Sequence, residues 1–482
     1  MEIHISLSQS GRPGRDRADR IYRQLADAIL DGRLAAGERL PPTRALADSL
    51  GVSRGTVSAA YDRLIADGLT TARTGAGTFV ADVMPTPRRR RRIVRTLQPR
   101  PSWDEVADPP APPIPVRHDF SAGVPDSALF PWQPWRRFLA DAARRATRDN
   151  VGYGDPSGLE RLRAAIARHI SLSRAVDAGP DDVLVTSGAQ QALGLIAQTL
   201  LRPGDVVAVE EPGYPMARRV FAAHGARIIG VPVDADGLQV SSLPPTAALV
   251  YTTPSHQFPL GMAMSPRRRA DLLDWAARHR AAVVEDDYDS EYRYGQRSLD
   301  SLHSLDHDDR VVYVGTFSKS LLPGLRIGYV VAPASLRSAM RKAKWIGDWH
   351  GDLITQHALA GLMDSGVYAS HLRRSQRQYA ARHAHLTTLL SEDFAETLEV
   401  VPSAAGLHVA AHLAGASRRS ALRIAQDALG RGVRVATIDE FYLGAPTRSG
   451  LAIGFGALPG PSMGAAMRAL SAVLADSQSD PE

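Results

Sequence analysis

Cysteine is missing from the sequence, and lysine is scarce: of 57 lysines and arginines together, three are lysines and 54 are arginines. The absence of cysteine excludes disulfides, thiolate catalysis and metal sites built on cysteine, and we predict no metal site. No stretch approaches the ~18 apolar residues of a membrane span, and the N-terminal residues lack an apolar signal segment. We therefore expect a cytoplasmic protein that does not enter a membrane.

One lysine, Lys319, ends a run of mainly apolar residues at 311–319, whereas Lys342 and Lys344 lie in a stretch with ordinary surface character. Arginine binds its proton too tightly to act as a nucleophile. Lysine can lose its proton in a desolvated pocket and form a Schiff base with an aldehyde. Lys319 is therefore the leading candidate for covalent chemistry.

Positive charge is concentrated at the N-terminal end of the chain. Residues 1–100 hold 18 arginines and 10 acidic residues, a net charge of +8, and because the whole chain carries +6, residues 101–482 carry −2 by difference. Such an asymmetry indicates nucleic-acid binding. Charge alone is equally compatible with a solvated basic tail.

Three segments of the chain differ in composition. Residues 15–82 have the spacing of short packed helices, and residues 83–116 are rich in proline and arginine, which is typical of an extended linker. Residues 117–475 alternate apolar strands with amphipathic helices, the pattern of a mostly parallel sheet covered by helices. The sequence therefore predicts a small, mainly helical domain, a linker and a large α/β domain.

The first segment predicts a helix-turn-helix followed by a β wing. Thr43 can cap a short helix, Gly51 permits a turn, and Ser53 can cap a second helix. Residues 68–80 then read as two short strands separated by a glycine-rich turn.

This pattern resembles the winged helix of the GntR family over residues 18–82. In that family the second helix of the motif enters the major groove, and the wing approaches the minor groove or the backbone. The resemblance implies a double-stranded DNA operator as partner and six contact residues: Arg44, Ser53, Arg54, Thr56, Gly75 and Gly77. We expect Arg63 to be a solvated arginine on the same helix, and the arginine run 88–92 could either touch phosphates or be plain linker.

Two motifs of the large segment could hold parts of a cofactor. Residues 182–193 pass from a strand through Gly188 into a helix, whose free N–H groups can bind a phosphate. Residues 206–215 form a strand and a loop that displays Tyr214, an aromatic ring that could cover a planar cofactor or simply pack.

Two further strands end in charged residues. Residues 282–292 end in carboxylates, at the strand end where open α/β sheets bind ligands. A buried aspartate there needs a cation, and a protonated pyridine nitrogen would be one. Residues 311–319 end at Lys319, and Arg326 follows seven residues later. A lysine, an aspartate, a phosphate loop and an arginine are the parts that a pyridoxal phosphate site requires.

These motifs resemble fold type I aminotransferases across residues 118–460. The resemblance implies pyridoxal 5′-phosphate as cofactor, with Lys319 forming the internal aldimine and Asp286 pairing with the pyridine nitrogen. It also implies that Tyr288 bonds the ring 3-hydroxyl and that Tyr214 stacks on the ring. The remaining implied contacts surround the phosphate: Gly188, Ala189, Gln190, Ser318, Arg326 and, from a neighbouring subunit, Tyr153.

Three positions depart from the aminotransferase pattern. Tyr288 lies two residues after Asp286 rather than three, and Phe258 replaces an asparagine. Both features resemble the MocR subfamily of GntR regulators, which fuse a winged helix to an aminotransferase-like domain. Ala452 stands where aminotransferases have the arginine that binds the substrate carboxylate, and Arg448 is a nearby candidate to replace it.

The resemblance implies a homodimeric, head-to-tail transcription regulator that senses pyridoxal phosphate or an amino compound. Because a methyl group cannot bind a carboxylate, we predict a sensor in which residual half-transamination is possible, with PdxR-like control of vitamin B6 metabolism. Two alternatives stay open. One is a working aminotransferase with an appended DNA-binding module, and the other is a regulator that senses an amino acid.

Overall fold

The computed structural model describes residues 15–82, 103, 106, 108–109, 114–148, 152–294, 300–414 and 420–479. Contacts divide the chain into two compact units, Met1–Pro99 and Arg100–Glu482. Within the described residues, no helix is long and apolar enough to cross a membrane. Most of the predicted linker 83–116, including the arginine run 88–92, lies outside the described residues.

The small unit, as far as it is described, consists of three helices and a two-stranded sheet. Its elements are α1 (Arg15–Leu30), α2 (Thr43–Leu50), α3 (Arg54–Ala66), β1 (Thr70–Arg73) and β2 (Gly77–Val80). Strands β1 and β2 pair antiparallel and form the predicted wing. The helices bury one apolar cluster that includes Ile21, Leu25, Val57, Tyr61 and Leu64, which lie on the inward faces that helical spacing selects.

Capping residues explain where α2 and α3 begin. The Oγ of Ser53 accepts the backbone N–H of Thr56 at 3.2 Å, which confirms Ser53 as the cap of α3. Thr43 does not cap α2, because it is the first helical residue and the preceding Pro42 occupies the cap position without a side-chain bond. That prediction is wrong because Pro42, at ψ 139°, already supplies the extended residue before the helix. Gly51 ends α2 at a left-handed φ of 63°.

The large unit contains two sheets covered by helices. Its described strands are β3 (His118–Phe120), β4 (Val183–Thr186), β5 (Val206–Glu211), β6 (Arg227–Asp234), β7 (Gly237–Leu238), β8 (Ala247–Thr252), β9 (Ala282–Asp287), β10 (Val311–Thr316), β11 (Gly328–Val331), β12 (Leu398–Val400), β13 (His408–Leu413), β14 (Val433–Thr437) and β15 (Gly450–Gly454). Its described helices are α4 (Trp132–Arg148), α5 (Glu160–Arg174), α6 (Ala189–Leu200), α7 (Pro215–Ala223), α8 (Pro266–His279), α9 (Leu302–Leu305), α10 (Ala334–Gly347), α11 (Leu353–Asp364), α12 (Val367–Asp393), α13 (Ala421–Gly430) and α14 (Gly460–Ser479).

The larger sheet has the strand order β4-β11-β10-β9-β8-β5-β6-β7. Neighbouring strands from β10 across to β6 run parallel, whereas β11 is antiparallel to both of its neighbours and β7 is antiparallel to β6. Strands β5, β8, β9 and β10 are buried along nearly their whole length, as expected when helices cover both faces of a sheet. The prediction of a mostly parallel α/β sheet is confirmed.

The smaller sheet has the order β12-β13-β15-β14-β3 and is antiparallel except for the parallel pair β14 and β3. Its apolar face packs against α12, α13 and α14 in a single buried cluster.

In the larger sheet, parallel β9 and β10 pair Asp286 with Val314. Their carboxyl ends therefore open at the same edge of the sheet, where α/β folds bind ligands.

Candidate functional site

A cavity of ≈ 360 Å³ opens in the large unit where β9 and β10 end. Eight of the predicted cofactor residues line this cavity: Ala189, Gln190, Tyr214, Asp286, Tyr288, Ser318, Lys319 and Arg326. Six further residues complete its wall: Met216, Tyr251, Thr253, Phe258, Thr316 and Pro323. The fold thus collects residues that are more than 130 positions apart in the chain.

Lys319 follows β10 and lines the cavity. Burial lowers the pKa of Lys319, and the nearby carboxylates of Asp289 and Asp286 oppose that shift. Gly123 leaves room for the amine, since a Cβ at this residue would lie 3.2 Å from Lys319 Nζ. A lysine that loses its proton readily is the form that attacks an aldehyde.

Asp286 stands at the end of β9 and is 4% exposed. The hydroxyl of Tyr251, on β8, donates to Asp286 Oδ2 at 2.7 Å, whereas the buried Oδ1 has no hydrogen-bond partner among the described residues. Burial raises the pKa of Asp286 to about 7, and the bond from Tyr251 opposes the rise. A buried carboxylate with one free oxygen can stabilise a cation that enters the cavity.

Tyr288 contacts a buried histidine that sequence reasoning missed. The Tyr288 hydroxyl lies 2.9 Å from His256 Nδ1, and the same nitrogen lies 3.0 Å from Asp289 Oδ2. The ring of His408 packs 4.9 Å from that of His256, and burial lowers the pKa of His408 to about 3. His256, Asp289 and His408 lie close enough together to hold a metal ion, but the bond between His256 and Asp289 already accounts for the approach of that pair.

The N-terminus of α6 forms a polar end of the cavity. Gly188 occupies the helix cap at φ 78°, and a Cβ at this residue would lie 2.9 Å from Arg326 Nη2. Arg326 Nη2 donates to the carbonyl oxygen of Ser187 at 2.9 Å. Gly188 is not among the lining residues, yet its missing side chain lets the guanidinium approach the turn. Helix N–H groups beside a guanidinium are suited to a phosphate.

Tyr214 and Phe258 form an aromatic wall of the cavity. Their ring centroids lie 5.7 Å apart in an edge-to-face arrangement, and Phe258 meets Tyr288 in the same manner at 6.2 Å. Burial raises the pKa of Tyr214 to about 12, so its phenol stays neutral. Phe258, where aminotransferases have an asparagine, makes this wall apolar.

The six residues predicted to contact DNA are open to solvent in the small unit. Thr56 is half-buried, and the other five are exposed: Arg44, Ser53, Arg54, Gly75 and Gly77. Arg63, on the same helix as Arg54, donates to Asp19 at 2.7 Å and lies 4.1 Å from the ring centre of Tyr22. Arg63 is therefore held within the unit, whereas no described residue forms an ion pair with Arg54.

Two family models match the chain. Residues 17–80 match the bacterial regulatory proteins of the gntR family, and residues 119–454 match aminotransferase class I and II. The chain is 37% identical to the probable rhizopine catabolism regulatory protein MocR of Rhizobium meliloti, a match that covers 94% of this chain and 93% of that protein. It is 32% identical to the HTH-type pyridoxine biosynthesis transcriptional regulator PdxR of Corynebacterium glutamicum, over 90% and 91% of the two chains.

This chain belongs to the MocR-type transcription regulators of the gntR family. The large unit of this MocR-type regulator has the fold of solved aminotransferases. It is 26% identical to LysN, the alpha-aminoadipate aminotransferase of Thermus thermophilus complexed with N-(5′-phosphopyridoxyl)-L-leucine, with a TM-score of 0.69 over 75% of this chain and 92% of that chain. The prediction of a winged helix fused to a fold type I aminotransferase-like domain is confirmed.

Tyr153 does not reach the cavity of its own subunit. Its side chain is 79% exposed, and its ring stacks on Trp349 with centroids 4.4 Å apart and planes inclined by 23°. The predicted contact with a neighbouring subunit therefore stays a prediction, and the exposed ring is compatible with it.

Among the described residues, none that lines the cavity of this MocR-type regulator replaces the substrate-carboxylate arginine. Ala452 is fully buried in β15 and pairs with Ala410 and Ala436 of the flanking strands. Arg448 is 56% exposed, forms an ion pair with Glu399, and is not a lining residue. Among the described lining residues, the cations are Lys319 and Arg326.

The prediction that Lys342 and Lys344 are both surface residues is wrong for Lys344. Lys342 is exposed, but Lys344 is completely buried in α10. Its ammonium donates to both carboxylate oxygens of Asp348, at 2.7 and 3.0 Å. The local sequence hides this burial because it depends on α6, which packs against α10.

Proposed function

We propose that this MocR-type regulator binds pyridoxal 5′-phosphate in the cavity of its large unit, and that the bound vitamer changes its affinity for DNA. The observation that carries the proposal is the set of charges that line the cavity: Lys319, Arg326 and Asp286. An amine, an anion site and a carboxylate are complementary to the aldehyde, the phosphate and the ring nitrogen of this vitamer.

The residues of the cavity fit the vitamer part by part. When bound, pyridoxal phosphate supplies an aldehyde that a primary amine attacks, and Lys319 is the amine. Asp286, whose Oδ1 has no described partner, would hold the proton of the ring nitrogen. Tyr214 would cover the ring and Tyr288 would bond its hydroxyl. The phosphate would be held by the α6 terminus and its neighbours: Gly188, Ala189, Gln190, Ser318 and Arg326.

The charges of the cavity favour a sensor over an aminotransferase. Without a cation at Ala452, and with Arg448 paired to Glu399, the described cations that line the cavity are Lys319 and Arg326, and both are engaged by the vitamer rather than by the carboxylate of an amino acid. An amino-acid substrate would therefore be poorly oriented for transfer. A vitamer sensor needs no such partner, since the vitamer is itself the effector.

We further propose that the regulator controls vitamin B6 metabolism. This agrees with the name of the PdxR relative, a pyridoxine biosynthesis regulator. The MocR relative is named a probable rhizopine catabolism regulatory protein, so its name does not point to vitamin B6, and an amino acid as effector is the competing hypothesis.

The proposed assembly is a cytoplasmic, head-to-tail homodimer in which residues 117–475 bind the effector and residues 15–82 bind DNA, joined by the linker 83–116. The exposed Tyr153 and Trp349 rings support a contact with a second copy. Two copies of α3 would read two half-sites in major grooves. Arg44, Ser53, Arg54 and Thr56 would contact each site, with Gly75 and Gly77 in the wing.

DNA affinity with and without pyridoxal 5′-phosphate tests the proposal. On a fragment that carries the promoter nearest its own gene, we expect the vitamer to change the affinity by on the order of tenfold, the usual size of an allosteric coupling. Lys319→Ala should abolish the response to the vitamer. Lys342→Ala, which removes an exposed lysine, is the matched control and should respond like the wild type.

Two outcomes would contradict the proposal. DNA binding that ignores the vitamer but changes with an amino acid would show that the effector is an amino compound. Sustained turnover of an amino acid with a keto acid would support the aminotransferase alternative.

A further inference from the structure

Lys344 is one of three lysines in the chain, and it is completely buried on α10. Its three N–H groups meet three acceptors: both carboxylate oxygens of Asp348 and, at 3.1 Å, Oε1 of Gln191. An ammonium is compact and points its donors in three directions, whereas a guanidinium is larger and planar. In a chain with 54 arginines and three lysines, this buried position has a lysine, and the arrangement of its acceptors suits an ammonium.

Gln191 connects Lys344 to the turn at residues 187–190. Its Nε2 donates to Asp348 Oδ2 at 2.6 Å, and its Oε1 also accepts the backbone N–H of Ser187 at 2.8 Å. Lys344 and Asp348 thus hold the glutamine amide in one orientation. That orientation presents Oε1, rather than Nε2, to the Ser187 N–H.

The same turn is held from its other side by the cavity. The carbonyl oxygen of Ser187 accepts a hydrogen bond from Arg326 Nη2 at 2.9 Å. Arg326 lines the cavity together with Ala189 and Gln190, the first residues of α6. A continuous series of hydrogen bonds therefore runs from the buried ammonium of Lys344, through Gln191 and Ser187. It ends at the Arg326 guanidinium at the polar end of the cavity.

We propose that Lys344 is a positioning residue for a phosphate monoester: it fixes Gln191 so that the 187–190 turn and Arg326 stand ready to bind the phosphate. The inference rests on the proposed binding of a phosphorylated vitamer. It adds a specificity, because the network acts on the phosphate end of the cavity and not on Lys319 or Asp286. Lys344 therefore strengthens the binding of the phosphorylated vitamer and leaves the binding of the unphosphorylated vitamer unchanged.

Titration of the full-length protein with pyridoxal 5′-phosphate and with pyridoxal, followed by vitamer absorbance, tests this role. Lys344→Met keeps an unbranched chain of similar length, and the freed Asp348 side chain, 33% exposed, can be solvated. We expect Lys344→Met to raise the Kd for pyridoxal 5′-phosphate by on the order of tenfold, as for the loss of a hydrogen bond to a charged group. The Kd for pyridoxal should stay within about twofold. Lys342→Met, two residues away and exposed, should change neither.

Gln191→Met provides a second variant in case Lys344→Met fails to fold, since it removes the link to Ser187 and leaves the pair of Lys344 and Asp348. It should reproduce the loss for the phosphorylated vitamer alone. An equal loss for both vitamers, or no loss in either variant, would overturn the positioning role. Failure of the wild-type protein to bind pyridoxal 5′-phosphate would instead refute the proposed function, so the two failures are distinguishable.

Discussion

The two units of this regulator place their candidate functional groups in opposite environments. In the small unit, Arg44 and Arg54 stand exposed on the surface, outside a buried apolar cluster. In the large unit, Asp286 is buried and its pKa is raised, and burial lowers the pKa of Lys319. Exposed charges attract a polyanion over a distance and are screened by salt. Buried groups have pKa values shifted by their surroundings and are suited to one complementary ligand.

The raised pKa of Asp286 predicts that the stability of the large unit depends on pH near neutrality, and this is the largest effect that we expect. Burial raises the pKa of Asp286 to about 7, against about 3.9 in an unfolded chain. Between these two values Asp286 keeps a proton in the folded vitamer-free protein that it has lost in the unfolded chain, so the contribution of Asp286 to stability falls as the pH rises from about 4 to about 7. The loss in the free energy of unfolding is at most about 4 kcal/mol, at about 1.4 kcal/mol per pKa unit.

Urea unfolding at about pH 5 and about pH 8 checks this prediction. All six tryptophans belong to residues 100–482, so their fluorescence reports the large unit alone. Asp286→Asn should be less sensitive to pH than the wild type. An identical dependence in both proteins would show that other groups cause it.

In the small unit, by contrast, the affinity for DNA should depend on single exposed charges. Arg54→Ala should weaken operator binding by about tenfold to a hundredfold, or about 1–3 kcal/mol, without changing the affinity for pyridoxal phosphate. Arg63→Ala is the control on the same helix, because Arg63 is held by Asp19 and Tyr22. Equal losses in the two variants, measured by fluorescence anisotropy, would mean that Arg54 makes no specific contact with the operator.

The smallest effect concerns Ser53, which caps α3 and is also predicted to contact DNA. Ser53→Ala should destabilise the small unit by about 1 kcal/mol, because the Thr56 N–H loses its side-chain acceptor and keeps only the carbonyl oxygen of residue 53. Ser53→Asp should retain the cap but lower DNA affinity, since a carboxylate repels phosphates. Thermal melts followed by far-ultraviolet circular dichroism measure the first effect, and unchanged tryptophan fluorescence of the large unit is the control. Unaltered stability in Ser53→Ala would reject the capping role.

Local sequence patterns were sufficient wherever a feature is built from neighbouring residues. The cap at Ser53, the wing and the strand that ends at Lys319 each need only a few consecutive side chains. Strand ends indicated this edge of the sheet, because parallel strands place their carboxyl ends together, but the eight individual lining residues were assigned through the resemblance to fold type I aminotransferases. Their roles in binding a vitamer stay predictions.

Residues that depend on distant partners were missed. Tyr251 is an ordinary strand tyrosine until the pairing of β8 with β9 places it against Asp286. Gly123 belongs to a segment without a recognisable motif. His256 lies two residues before Phe258, in a segment that resembles the aminotransferase pattern, but packing alone brings it to Asp289 and Tyr288. Lys344 looked like a surface residue because its partner Gln191 lies 153 positions earlier.

The sequence by itself determined the two units, their order and the chemical types gathered in the large one, since periodicity and short motifs are properties of neighbouring residues. Only the tertiary structure decided which of the three lysines are enclosed. Burial and pKa depend on what other elements pack around a side chain, and a linear pattern does not contain that information. Lysine scarcity pointed to Lys319, and packing of α6 against α10 added Lys344.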